Sequence, residues 1–158
     1  MKIDLGKALT LFANFGILIG ILLVVYELNQ NTRAMQTNSY QTLLTNVTNV
    51  SLTLAENSEL NRIVMIGQER PSDLTPEEWL RFSNYSTTML AQLEYAHLEY
   101  VSGGFSDLQW SAIEPSVATV VCSPGVTRFV RESGDAWFGQ PFMSYLRNNV
   151  LPDCPASD

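Results

Sequence analysis

Between Ala8 and Tyr26 the chain carries no charged side chain, and its core FGILIGILLVVY is apolar throughout. At about 1.5 Å per residue, a helix over residues 8–28 is roughly 30 Å long, the thickness of a bilayer's hydrocarbon core. Lipid offers the backbone no hydrogen-bond partners, so a single segment crosses it only as a helix. The expectation is a transmembrane helix over 8–28, a short cytoplasmic stretch over 1–7, and a helical domain over 29–151. A tail over 152–158 closes the chain.

A cleaved signal peptide is the competing reading, because the flank MKIDLGK is short and basic. The apolar run is longer than a typical signal core, and VVYELNQ ends it without a small-x-small cleavage site. Thr32-Arg33-Ala34 stands too far behind the run to serve. A retained anchor fits better. Lys2 and Lys7 precede the helix and Arg33 follows it closely, which favours a cytoplasmic N-terminus and an exported domain.

Beyond residue 30 the chain has 7 basic and 14 acidic side chains. That balance argues against nucleic acid as a partner, since such binding draws on cationic neutralisation of phosphate. The two cysteines, Cys122 and Cys154, would close a loop of about 33 residues if an exported, oxidising setting joins them. Two free thiols are the alternative.

The remainder reads as all-α, with no strand pattern of useful length. From Leu9 to Glu56 the only glycines are Gly16 and Gly20 and there is no proline, so the first helix should continue past the membrane. Leu43, Leu44, Val47, Val50 and Leu54 form an apolar stripe for packing. A short helix with Asn57 or Ser58 as N-cap follows, with Gly67 as its stop. Thr75-Pro76-Glu77-Glu78 is a capping box with proline in the first turn. It opens a helix with Phe82, Ser86, Met89, Leu93, Ala96 and Tyr100 inward, ended by Gly103-Gly104. Ser106 and Gln109 make a second box, opening a helix that Pro115 should kink or split. Ser123-Pro124 restarts the chain, Gly134 stops it, and Gln140-Pro141 opens the last short helix before a loose tail.

An apolar helix is followed by QNTRA at 30–34, LTPEE at 74–78, Gly103-Gly104, Trp110 and Ser123-Pro124-Gly125. This order resembles a widespread group of short bacterial proteins with an N-terminal membrane helix and an all-helical remainder. The chain departs from that group at Phe129-Val130, where members carry an aromatic pair. The resemblance implies the fold and the membrane anchor, and the expected location is a bacterial inner membrane. It carries over no catalytic residue.

The chemistry-bearing words are few. Glu94-x-x-His97 has the spacing that di-iron bundles use, but such a site needs a second copy of the word and His97 is the sole histidine. A surface or hydrogen-bonded histidine is the expected role. No nucleophile elbow, Walker loop or CxxC is present, so no catalytic residue, metal or cofactor is expected. Asn46, Asn49 and Asn84 head glycosylation-like triplets that fall on helices and are discounted. Gly16 and Gly20, four apart, let a second backbone approach closely, and Asn14 adds a polar side chain within the span. These three are the candidate helix–helix interface.

The expected function is a membrane-anchored interaction protein, with the bilayer and either itself or another membrane subunit as partners. A ligand-sensing domain is the alternative, and an enzyme ranks last.

Overall fold

The computed structural model describes residues 5–155; Lys2 and the last three residues of the expected tail lie outside them. Six helices follow in order: α1 (Leu5–Glu56), α2 (Ser58–Glu69), α3 (Pro76–Val101), α4 (Asp107–Val121), α5 (Pro124–Trp137) and α6 (Gln140–Tyr145). No strand occurs among the described residues, so the chain is all-α.

α1 is one unbroken helix of 52 residues, as the absence of internal proline leads one to expect. From Gln36 onward one side of it packs on the domain. Gln36 Nε2 donates to the Gly103 carbonyl at 3.2 Å, and Gln109 Nε2 donates to the Gln36 carbonyl at 3.2 Å. Asn46 Nδ2 donates to Gln92 Oε1 at 3.1 Å. These pairings run α3 antiparallel to α1 and bring the α3–α4 turn to the end of the domain nearest the apolar run. The expected stripe is corrected in part. Leu43 is buried and Val50 and Leu54 are half-buried, but Leu44 and Val47 face solvent. The packing face turns through Tyr40 instead, whose ring meets Phe105 edge-on at 6.1 Å.

The helix starts follow their local chemistry. Asn57 Oδ1 accepts the Leu60 N–H at 2.9 Å, and both capping boxes are complete at Thr75/Glu78 and Ser106/Gln109. The stops do not. Gly67 does not end α2, which continues to Glu69, and Gly134 does not end α5, which continues to Trp137. Both glycines are buried and serve close packing. A Cβ on Gly67 would fall within the Phe82 ring, and a Cβ on Gly125 would lie 2.9 Å from the Gly67 carbonyl carbon. The glycines therefore let α2 and α5 touch through their backbones. Gly103 does carry the stop, at φ +83.

Pro115 neither splits nor ends α4, which runs through it. Pro115 and Ser111 are both exposed, so the one helical bond that proline removes is lost on the solvent side of α4. On α3, Leu90 and His97 are buried while Met89 and Tyr100 are half-buried. The core centres on Phe82, Ile63, Leu90, Val117, Val121, Phe142 and Leu146, all fully buried. Arg128 of α5 caps it, its guanidinium 4.4 Å above the Trp79 ring. After α6 the chain continues as a π-turn over Leu146–Val150 and a 3-10 turn over Leu151–Asp153.

Candidate membrane and interaction surface

From Leu9 to Met35 the domain covers no part of α1 among the described residues. Phe12 is 76% exposed and Leu22 61%, and every side chain described from Leu9 to Met35 is exposed. The helix is apolar and long enough to cross a membrane. Scattered apolar side chains on a surface are ordinary; a whole helix circumference of them is not.

Gly16 and Gly20 have no atom outside their own helix neighbourhood within 4 Å, so both backbones are open to a partner. At roughly 100° per residue they are about 40° apart around α1, while Asn14 lies about 160° from Gly16. The three expected interface residues therefore do not share one face. Asn14 belongs to the side that carries the domain higher up, and the glycines belong to the opposite side.

Cys122, at the C-terminal end of α4, and Cys154, after the last turn, are joined by a disulfide with Cα atoms 4.9 Å apart. The segment expected as a loose tail from residue 152 is thus held against α4 as far as Cys154.

His97 is corrected in its surroundings. It is neither on the surface nor hydrogen-bonded at Nδ1, which is buried without a partner. Its ring stacks on Tyr145 at 4.7 Å and meets Trp110 at 5.7 Å and Phe142 at 5.9 Å. Desolvation holds its pKa below the ordinary value, with the Glu94 charge opposing. Glu94 itself serves the start of α6, where its Oε1 accepts the Gly139 N–H at 2.5 Å. Tyr145, which donates to Glu114 Oε1 at 3.3 Å, is pushed up to about 12 by burial and by that carboxylate. Glu78 is held down at about 2 by the Arg62 guanidinium and by the Thr75 backbone and hydroxyl. Sequence spacing gave no warning of the aromatic enclosure, because its members come from α3, α4 and α6.

A cleft of about 350 Å³ opens where α1, α2 and α3 meet, at the end of the domain farthest from the apolar run. Val50, Leu54, Leu60 and Tyr85 supply its apolar wall, and Arg81 and Asn84 its polar rim. Arg81 is occupied there by Glu59 and Glu77, at 3.1 and 3.0 Å. Among the described residues no three His, Cys, Asp or Glu side chains gather as a metal site would require. No protein-family model matches the chain, and no curated protein or solved structure is significantly similar to it.

Proposed function

We propose that this chain is a membrane-anchored, non-enzymatic interaction protein, an accessory subunit or self-assembling scaffold of a bacterial inner-membrane complex. The observation that carries this is the bare apolar circumference of α1 from Leu9 to Leu28, which the domain leaves uncovered. In water that surface is unfavourable by about 25 cal/mol for each Å² exposed; in lipid it is matched. Lys2 and Lys7 set against Arg33 favour a cytoplasmic N-terminus and an exported domain.

The reading as an interaction protein rests on how the reactive residue types are used. The single histidine is enclosed by aromatic rings, and both cysteines are spent on one bridge. What the chain leaves open is helix surface. Purification from native membranes in mild detergent tests it: a stoichiometric partner, or a stable oligomer, is the expected result. A monomer that leaves the membrane without company would overturn it.

The cleft between α1, α2 and α3 favours a second reading, a ligand-sensing domain, because a molecule bound there would touch the helix that leads to the membrane. Its size is at the lower end for small-molecule sites. A ligand screen by thermal shift separates the two readings, since the interaction protein needs no small molecule.

A further inference from the structure

From Ala34 to Ala55 helix α1 carries no charged residue, although the chain as a whole has a net charge of −7. Half of its circumference is covered, through Gln36, Tyr40, Leu43, Asn46 and Val50. The other half is exposed over the same length: Ala34, Asn38, Gln41, Thr45, Thr48 and Leu52 all face solvent. A solvated helix face in an acidic protein ordinarily carries charge; this one has none. Its hydroxyls are also turned inward. Thr45 Oγ1 donates to the Gln41 carbonyl at 2.9 Å and Thr48 Oγ1 to the Leu44 carbonyl at 2.8 Å. What these threonines present outward is chiefly methyl.

The open residues recur in steps of four and three. Asn31, Asn38, Thr45 and Leu52 are seven apart, and Ala34, Gln41 and Thr48 form the second seven-residue series. Traced back into the apolar run, the same two series reach Val24 and Gly20. At roughly 100° per residue the open residues from Ala34 to Leu52 stand about 140–180° from Leu43 on the covered side. Each series drifts about 20° per heptad, to about 120° at Asn31 and about 100° at Val24, a drift that the left-handed supercoil of a coiled coil takes up.

We propose that a second copy of this chain lies parallel to the first along the uncharged back of α1, in a coiled-coil register with Asn31 and Asn38 on the seam. This rests on the membrane-anchored reading, since the bilayer is what aligns the two copies. Four observations select a second copy. Between Ala34 and Leu52 two molecules of net charge −7 meet through a face without charge, where they repel least. Asparagine at the first core position of a heptad is self-complementary in a parallel pair and fixes its register. Each domain packs on the side of its own α1 that carries Leu43, which turns away from this seam. The contact area is also of the right order: from Gly16 to Leu52 the helix is about 55 Å long. A strip about 10 Å wide on each copy then gives on the order of 1,100 Å² in total, near the lower bound for a stable interface. The extramembrane part alone would fall well short, so span and stalk act together.

Glu27 falls on this seam, and in a parallel pair it meets its own copy. Neutralising it should therefore strengthen a homodimer. A partner bearing Lys or Arg at that height would respond in the opposite sense.

The test is oxidative crosslinking in native membranes of full-length chains carrying Asn38→Cys, Thr45→Cys or, off the seam at similar height, Leu44→Cys. Dimers are expected with the first two and little with the third. Glu27→Gln added to Thr45→Cys should raise the crosslinked fraction, roughly two-fold. If the chain stays in carbonate-washed membranes and crosslinking is absent or indifferent to position, the dimer is wrong and the anchor stands. If Glu27→Gln lowers the yield, the partner is not a second copy. If the chain washes out of the membrane, the anchor reading fails and the dimer with it.

Discussion

Gly125 of α5 sits against the backbone carbonyl of Gly67 in α2, and the Phe82 ring closes the remaining gap. Three helices meet at this point with no side chain between two of them. Gly125→Ala would put a methyl 2.8 Å from Phe82 Cε1 and 2.9 Å from the Gly67 carbonyl carbon, where a backbone must move. A loss of about 1–3 kcal/mol is expected, read as a lower thermal midpoint in detergent. Gly134→Ala is the control. It meets the Met143 Cε at 2.8 Å, the far end of a flexible side chain, and should cost clearly less.

How much of this was legible in the sequence depends on whether the cause is local. Thr75, Ser106 and Asn57 start helices through bonds three residues away, so their spacing announces them. Gly67 and Gly134 look like stops for an equally local reason, yet their lack of a side chain answers to Phe82 and Met143, which belong to other helices. Pro115 looks like a break, and is tolerated on the exposed side of α4, where the bond it removes is not part of the core. The apolar run was legible because nothing else in the chain competes for it. The aromatic enclosure of His97 was not, because three separate helices assemble it.

His97 makes one contribution to stability depend on pH. Burial lowers its folded pKa beneath the ordinary 6.5, so the unfolded chain binds the proton first as pH falls. The stability that depends on neutral His97 is complete above about pH 6.5 and is lost as pH drops through the lowered folded value. Glu78 does not intrude in this window: its contribution is present above 4.5 and is lost only as pH falls through about 2. The thermal midpoint should therefore fall more between pH 7.5 and 5 in the parent than in His97→Phe. Parallel curves for the two proteins would refute this.

The Cys122–Cys154 bridge closes a loop of sequence separation 32. In the chain-entropy model a loop of that size is worth about 3–4 kcal/mol. Reduction should lower the denaturant midpoint accordingly, and should release the turns after α6 before the rest of the domain. A non-reducing digest of protein from its native membrane should contain the linked peptides. Two thiols alkylated without prior reduction would contradict the bridge.

Gly16→Ile with Gly20→Ile adds apolar bulk to a span that is already bare of contacts. Insertion should survive, because hydrophobicity rises. Association should weaken, because lipid cannot replace the close backbone packing that the glycines allow. Native-gel comparison with the parent in mild detergent reads the difference. Unchanged association would assign these glycines no part in assembly and count against a seam that runs through the span.

That α1 holds this chain in a bilayer is tested most directly by alkaline carbonate fractionation of membranes carrying the full-length protein. Carbonate strips proteins held by surface contacts and leaves those whose apolar segments are embedded. The chain is expected to stay in the pellet. Leu18→Lys with Leu22→Lys should move it to the supernatant or prevent its insertion, as two charges near the middle of the span must be desolvated. Recovery of the parent chain in the supernatant, still folded, would contradict the anchor.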